Sequence, residues 1–386
     1  MDSAEVGVVG GGIHGVSAAY HLAARGVRTW LFERGAPAGG PTGRSSAVCR
    51  AYYTNDFLAR AARESLDMLA SFEEITAGRS AGFRRTGALF LHPAGDLEQV
   101  RDAAARLNRI GTTVDLLDVE LLGRDHPELD LDGVAVGAWE REAGYADPVS
   151  TTDGLFRRAL DLGLRASLHR GVAELRAAPA GGAVVTLEDG ATVRCERLLI
   201  AAGPWTRALV ARLGVEVPLS VERHVVATFG WGGGPRLPFV LADVSNGYYL
   251  KPEGEELFLA GPLHEEPAAD PDHFEEAIRP AEIQALAHGV TRRVPGLRAA
   301  DSRGGWASLY DVSPDWQPVI GQVGDRIFLD AGTSGHGFKL APGLGRHVAD
   351  LVMETSPDPG LEQFRPDRFD SGAGLAAGYG EARILG

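Results

Sequence analysis

The sequence contains little cysteine and little lysine: two residues of each among 386. Cys49 and Cys195 lie far apart without the short spacing of a metal site, so neither a disulfide framework nor a cysteine-bound metal is expected, and no metal ligand is assigned. Oxidising compartments favour disulfides, whereas free thiols persist in reducing ones. We therefore expect a cytoplasmic protein.

Long apolar runs, a basic N-terminal segment and an excess of positive charge are also missing. No apolar run approaches the roughly 20 residues that cross a bilayer. Asp2 and Glu5 occupy the region that is basic in a signal peptide. The formal net charge of -14 argues against nucleic acid and against an anionic membrane surface as partners. These absences favour a small molecule as the partner.

The scarcity of lysine draws attention to the two that remain. All but two of the 38 Lys and Arg residues are arginine. Lysine is a compact charge with an adaptable pKa, which the wide guanidinium group cannot replace. Lys251 is equally well explained as a surface residue, whereas Lys339 lies in a glycine-rich motif and is the stronger functional candidate.

The most informative pattern lies near the N-terminus, where an apolar strand, Val6–Val9, runs into a glycine-rich turn. Gly10, Gly12 and Gly15 have the G-x-G-x-x-G spacing, a helix follows, and a second strand ends at Glu33. In dinucleotide-binding folds the glycines allow a tight turn, close approach to a pyrophosphate and close helix packing. The acid after the second strand accepts hydrogen bonds from a ribose. The complete unit predicts a Rossmann-like dinucleotide-binding domain.

The rest of the chain predicts α/β structure at both ends and antiparallel β structure between them. Residues 217–259 alternate in polarity and carry aromatic residues, as strands of a half-covered antiparallel sheet do. A helix is predicted near 273–288. We therefore predict a discontinuous dinucleotide-binding domain with an inserted, mainly antiparallel substrate-binding sheet. The predicted bounds are 1–85, 145–215 and 305–370 for the first domain, 86–144 and 216–304 for the second, and 371–386 for a loosely ordered C-terminal tail.

A second glycine-rich segment, Gly332–Pro342, lies between a predicted strand and a predicted helix, where backbone N–H groups suit an anionic ligand. It belongs to a series of motifs that cover nearly the whole chain. On these motifs the chain resembles the D-amino-acid oxidase superfamily of flavoproteins, and within it the sarcosine oxidase and glycine oxidase branch. The motifs are Gly10–Gly15 with Glu33, Gly43–Ser46 through Arg50, Tyr145–Pro148, Ala201–Trp205, Asn246–Tyr249, Tyr310–Asp315, Gly335–Lys339 and Phe364–Phe369.

The resemblance implies FAD as the cofactor and oxidation of the C–N bond of an amino acid, an N-alkyl amino acid or an amine, by hydride transfer to flavin N5 to give an imine. It implies that Arg50 and Lys339 bind the substrate carboxylate, which suits the bidentate fork of arginine. It also implies that Tyr248 and Tyr249 line the substrate face and that His264 lies near the substrate. Simpler roles stay open: a structural ion pair for Arg50, core packing for either tyrosine, and a surface position for His264.

The resemblance and the two glycine-rich units also assign a set of FAD-binding residues. They are Gly10, Gly12, Ile13, His14, Gly15, Glu33, Arg34, Gly43, Arg44, Ser45, Ser46, Val172, Ala202, Gly203, Trp205, Ser308, Gly335, His336, Gly337, Phe338 and Lys339. Ser308 stands where relatives with covalently attached flavin carry a cysteine. Because a hydroxyl is a poor nucleophile for that attachment, we predict non-covalent FAD.

The resemblance does not fix the electron acceptor, because the lysine with which relatives activate oxygen falls near Leu257–Leu259, where this chain is apolar. Without that charge, reoxidation by O2 lacks its main electrostatic help. Both O2 and another electron acceptor therefore stay open. Two other functions also stay open: oxidation of a 2-hydroxy acid on the same fold, and a non-catalytic flavoprotein subunit.

Overall fold

The computed structural model describes residues 2–370, 372, 374–376, 378 and 385. The predicted tail over 371–386 lies largely outside them. The α-helices are α1 (Ile13–Ala24), α2 (Asp56–Ala70), α3 (Phe72–Ile75), α4 (Leu97–Arg109), α5 (Val119–Asp125), α6 (Pro148–Asp161), α7 (Thr206–Ala211), α8 (Pro280–Arg293) and α9 (Gly337–Met353). The strands are β1 (Asp2–Val9), β2 (Thr29–Phe32), β3 (Val48–Cys49), β4 (Arg84–Arg85), β5 (Ala88–His92), β6 (Val114–Leu117), β7 (Val136–Glu140), β8 (Gly144–Tyr145), β9 (Arg165–Ser167), β10 (Val172–Ala177), β11 (Ala183–Leu187), β12 (Thr192–Ile200), β13 (Ser220–Gly230), β14 (Val240–Asp243), β15 (Tyr248–Glu253), β16 (Leu257–Pro262), β17 (Asp301–Val312), β18 (Val319–Gly324) and β19 (Ile327–Ala331).

The first sheet has a parallel centre. Strand β1 pairs in parallel with β2 on one side and β12 on the other, and β12 pairs in parallel with β19. Helix α1 packs against α6 and α9. Because β1 is covered on both faces, the segment Val6–Val9 is buried and apolar, as parallel strands require. This arrangement confirms the predicted Rossmann-like domain.

The second sheet is mainly antiparallel and has the strand order β17-β13-β16-β15-β14-β5-β7-β6. Among the described residues of this sheet, only β14 and β5 pair in parallel. Helix α8 packs against β15 and β16, and Leu241, Leu250 and Phe258 lie in the core of this unit. The inserted antiparallel sheet is confirmed. No helix in the described ranges is long and apolar enough to cross a membrane.

Two elements differ from the sequence expectation. Strand β17 pairs with β13 along its length, so the second sheet continues to Val312 and passes the expected boundary at residue 305. Helix α8 begins at Pro280 instead of near residue 273. Proline at the first helical position and the Glu282 carboxylate, which accepts the backbone N–H of Arg279 at 2.7 Å, explain this start.

Candidate active site

The glycine-rich turn after β1 has no room for side chains at two of its positions. Gly10 has a φ of +117°, and a Cβ atom there would lie 2.2 Å from the backbone oxygen of Ala201. A Cβ atom on Gly15 would lie 2.0 Å from the backbone oxygen of Gly10. Both glycines are therefore required by backbone contacts between β1, β12 and α1, which brings the turn to the carboxyl end of the sheet.

The acid at the end of β2 organises this turn. One carboxylate oxygen of Glu33 accepts the Gly11 N–H at 2.6 Å, and the other accepts the Gly35 N–H at 2.6 Å. The indole of Trp205, from the loop after β12, is covered by the Arg34 guanidinium at 3.8 Å from its ring centroid. Glu33, Arg34 and Trp205 form one end of the surface that is expected to bind the cofactor.

Two helices begin at the same place. Helix α1 begins at Ile13 and α9 at Gly337, and neither has an acidic side chain in its first turn. Helix starts carry partial positive charge and unsatisfied N–H groups. Two helix starts, the close-packed glycine turn and the acid at the end of β2 together fit a dinucleotide such as FAD, whose pyrophosphate is anionic.

A cavity of about 830 Å³ is lined by both domains. Most predicted site residues line it. From the predicted set, these are Gly10, Gly12, Ile13, His14, Glu33, Arg34, Arg44, Ser45, Ser46, Arg50, Val172, Ala202, Gly203, Trp205, Tyr249, Ser308, Gly335, Gly337, Phe338 and Lys339. The cofactor-binding turns and three of the expected substrate residues, Arg50, Tyr249 and Lys339, therefore share one cavity.

Three predicted cofactor residues, Gly15, Gly43 and His336, lie next to the cavity without lining it. Gly15 packs on the turn as described above. A Cβ atom on Gly43 would lie 2.4 Å from the Ala38 oxygen, so this glycine allows a close turn of the loop. The buried His336 has its Nδ1 atom 3.3 Å from the Tyr53 hydroxyl. Gly15, Gly43 and His336 therefore lie next to the cavity, and their role in binding the cofactor stays a prediction.

Arg50 is buried, with 3% exposure, in the loop after β3. Its guanidinium donates to the backbone oxygen of Tyr52 and lies 4.6 Å from the ring centroid of Tyr53. The Glu140 carboxylate at the end of β7 accepts the N–H groups of Ala51 at 2.7 Å and Tyr52 at 3.1 Å. Burial raises the pKa of Glu140 to about 7, against the opposing effects of Arg50 and these N–H donors. Glu140, which sequence reasoning missed, fixes the loop that carries the arginine.

Lys339 lies in the first turn of α9 on the same cavity wall. Its Nζ atom donates to the Gly335 oxygen at 3.1 Å. Burial, reinforced by the Arg50 guanidinium, lowers the pKa of Lys339 well below its ordinary value. A bound carboxylate would raise the pKa of Lys339 again and so favour the charged form of the lysine.

The two neighbouring tyrosines face opposite sides of β15. Tyr249 lines the cavity, and burial raises its pKa to about 12. Tyr248 lies in the second core and donates to the Asp243 carboxylate at 3.1 Å. Successive side chains alternate across a strand, so Tyr248 cannot share the cavity. This corrects the expectation that both tyrosines line the substrate face.

His264 does not lie on the cavity wall. Its side chain is 60% exposed, with Nε2 3.3 Å from Glu266 Oε1. His224, on β13, lines the cavity instead and stacks on Tyr310, with ring centroids 3.8 Å apart. The sequence signal for His224 was only the alternation of β13. Alternation separates the two faces without identifying the one that meets a cofactor.

His224 lines the cavity and has one ring nitrogen without a protein partner in the described part of the chain. Its Nε2 lies 3.0 Å from Glu222 Oε2. Since a carboxylate accepts, Nε2 carries the proton and Nδ1 of the neutral ring is an acceptor. The buried Nδ1 atom has no hydrogen-bonding partner within the described ranges. A hydrogen-bond donor on a bound ligand could therefore pair with this nitrogen.

Lys251 is buried instead of exposed, which corrects the surface interpretation. Its Nζ atom lies 2.6 Å from Glu253 Oε2 and 4.3 Å from the ring centroid of Tyr145. Among the described residues, no group of three or more His, Cys, Asp or Glu side chains is placed to hold a metal ion.

The fold and the cavity define a dinucleotide-binding oxidoreductase with a second sheet over its cofactor site. The chain matches the family DAO, FAD dependent oxidoreductase, over residues 5–351, and it belongs to that family. FAD is therefore its cofactor, which agrees with the glycine turn and the two helix starts at the cavity.

Similar proteins include both longer and equally long chains. The 4-methylaminobutanoate oxidase (formaldehyde-forming) of Paenarthrobacter nicotinovorans is 29% identical over 91% of this chain and 44% of its own length. The chain thus spans less than half of that relative. The human peroxisomal sarcosine oxidase is 29% identical over 94% of this chain and 96% of its own.

Solved structures share the fold. The L-proline dehydrogenase from P. horikoshii has a TM-score of 0.86 at 22% identity, covering 97% of this chain and 100% of its own. The similarity extends over both sheets, so the pairing of a Rossmann-like domain with an antiparallel sheet is common to the two proteins.

Proposed function

We propose that this protein oxidises the C–N bond of a carboxylate-bearing amine, either an amino acid or an N-alkyl amino acid. The observation that carries the proposal is the pair of buried cations, Arg50 and Lys339, on the wall of the cofactor cavity. The Arg50 charge lowers the pKa of Lys339, so the two side chains repel each other, and a substrate carboxylate between them would offset that repulsion. FAD, when bound, supplies the acceptor for the electrons and hydrogen removed from the substrate carbon.

The rest of the wall near these cations suits a neutral, apolar substituent. Strands β5, β14 and β15 contribute Phe90, Val240, Ala242 and Tyr249 to it. No acidic side chain from these three strands lines the cavity within the described residues, so this part of the wall favours a neutral amine over an ammonium group. The substrate amine is therefore expected to lose its proton before reaction.

We propose His224 as the group that accepts that proton, because its ring lines the cavity. Its Nδ1 is an acceptor with no protein partner in the described part of the chain, and Glu222 stabilises the imidazolium that forms. Among relatives, the names sarcosine oxidase, dimethylglycine dehydrogenase and 4-methylaminobutanoate oxidase all denote amines that carry a carboxylate. Those names support the class of substrate.

Anaerobic reduction of the protein-bound flavin tests the proposal. We expect an N-alkyl amino acid or an amino acid to bleach the visible spectrum, and the matched amine without a carboxylate to do so far less. If only 2-hydroxy acids bleach the flavin, the protein oxidises a hydroxyl group and not an amine. A flavin that no compound reduces would favour a non-catalytic subunit.

The same sample addresses the acceptor and the flavin linkage. Recovery of colour in air would make O2 the acceptor, and its absence would favour another acceptor. We expect denaturation to release all flavin into solution, because Ser308 stands on the cavity wall in place of a cysteine. The two buried cysteines form no disulfide, which supports a cytoplasmic location.

Replacing His224 with glutamine is expected to lower kcat/KM for an amine about 100-fold at pH 7, the typical contribution of a general base. The loss should shrink as the pH rises, because the substrate then loses its proton in solution. The pH profile of kcat/KM for both proteins measures this. His264→Gln, at an exposed histidine outside the cavity, is the control and should match the parent. A deficit in His224→Gln that is independent of pH would contradict the role as base.

A further inference from the structure

His14 connects the starts of two helices at the cofactor cavity. It is the second residue of α1, and its side chain is 11% exposed. Its Nδ1 atom lies 3.0 and 2.9 Å from the two carboxylate oxygens of Asp330, at the end of β19. Its Nε2 atom lies 3.0 Å from the backbone oxygen of Gly337, the first residue of α9. His14 and Asp330 both line the cavity.

Both partners of the His14 ring are acceptors. A neutral imidazole has one N–H donor and one acceptor nitrogen, so it could satisfy only one of these contacts. The other nitrogen would then face an oxygen lone pair at 3.0 Å or less. Opposite an ionised Asp330, only the imidazolium, with two N–H groups, makes both hydrogen bonds. The hydrogen-bond geometry itself therefore indicates the protonated form.

His21 provides the contrast within the same helix. Its Nε2 atom lies 2.9 Å from the Pro342 oxygen of α9, so it also links α1 to α9. However, its surroundings include Arg25 and Arg346, and burial together with these cations lowers the pKa of His21 to about 4. Two histidines on one helix thus bind carbonyls of the same neighbouring helix, and only His14 has a carboxylate at its other nitrogen.

The charges around His14 explain why its pKa is raised. The titratable groups that face it are Asp330 on β19 and Asp311 on β17, both buried. Burial opposes the charge on His14, but the carboxylates of Asp330 and Asp311 and the Gly337 oxygen outweigh it, so its pKa is raised. Without the imidazolium, two carboxylates would face an anionic cofactor with no cation between them.

We propose that His14 is an imidazolium at neutral pH, that this cation positions the starts of α1 and α9 relative to each other, and that it strengthens the binding of FAD. His14 is then a positioning residue for the cofactor. The helix starts supply N–H groups to the anion, and the His14–Asp330 pair holds them in one arrangement while partly cancelling the negative charge of the cavity wall.

The protonation state is tested on the holoenzyme with histidine labelled by 15N. His14 is assigned by the signal that is lost in His14→Gln. We expect both ring nitrogens of His14 to carry protons at pH 7.5, and His21 to be neutral at the same pH. A neutral His14 ring at pH 7 would overturn the proposal. Should His14→Gln fail to fold, Asp330→Asn gives the assignment through its shift of the same signal.

The effect on the cofactor is measured as free FAD in ultrafiltrates of serially diluted holoenzyme. We expect His14→Gln and Asp330→Asn to raise the dissociation constant about tenfold or more, the effect of losing one charge-assisted hydrogen bond. His21→Gln is the matched control and should leave it unchanged. For the parent protein, affinity should weaken as the pH rises above the pKa of His14, because the cation is lost. Equal dissociation constants for FAD in the parent and all variants would overturn the proposal. The same pH dependence of FAD affinity in His14→Gln and in the parent would also overturn it.

Discussion

Replacing Arg50 with methionine is expected to lower kcat/KM for a carboxylate-bearing substrate by about 100-fold to 1000-fold. A buried, charge-assisted hydrogen bond contributes about 1.5–3 kcal/mol, and the arginine fork can make two to one carboxylate. Arg50 is 3% exposed, so water cannot replace the lost contacts. The loss should appear mainly in KM, because the carboxylate is bound before and during the reaction.

Removal of Arg50 also changes its neighbour. The Arg50 charge contributes to the lowered pKa of Lys339, so the pKa of the lysine should rise toward its ordinary value in the variant. The lysine then carries its charge over a wider pH range and retains part of the anion binding. Arg50→Lys should be less damaging than Arg50→Met but still impaired, because an ammonium cannot make the bidentate contact.

Two controls separate binding of the carboxylate from general damage. The matched amine without a carboxylate should react at a similar rate with the parent and with Arg50→Met. Arg365→Met removes an arginine whose side chain is 58% exposed, and it should behave as the parent. Retained flavin absorbance shows that the variant is folded. An equal loss for both substrates would mean that Arg50 shapes the loop and does not bind the substrate.

The N-terminal half of the site could be predicted because its signals are local. The glycine spacing at Gly10–Gly15 and the acid Glu33 lie within one short segment, and the requirement for glycine at Gly10 follows from a backbone contact. Local patterns of this kind carry their own geometry. The predicted turn, helix and strand were therefore confirmed together.

The residues that the sequence did not reveal depend on strand faces and on distant contacts. Tyr248 and Tyr249 are both buried, so the pattern of polarity could not separate them. The contact between Glu140 and Ala51 joins residues 89 positions apart, and no local pattern records it. His264, in the loop after β16, was chosen by resemblance alone, whereas His224 on β13 lines the cavity. Face and register are properties of the assembled sheet.

Replacing Asp243 with alanine is expected to lower the free energy of unfolding by about 3–5 kcal/mol, because it leaves a buried arginine without its counter-ion. Asp243 is completely buried and Arg293 is 2% exposed. The carboxylate accepts the Arg293 Nε–H at 2.7 Å, the Tyr248 hydroxyl at 3.1 Å and the Asn246 amide at 2.7 Å. It thus joins α8 to the turn between β14 and β15.

Denaturant unfolding of the holoenzyme, followed by tryptophan fluorescence, measures this loss. Asp367→Ala is the matched control, since Asp367 pairs with Arg365 at the surface, where both side chains are 58% exposed; such a pair contributes about 0–1 kcal/mol. The double variant Asp243→Leu/Arg293→Met should be more stable than Asp243→Ala, because it buries no charge. A loss in Asp243→Ala no larger than in the surface control would show that the pair is solvated.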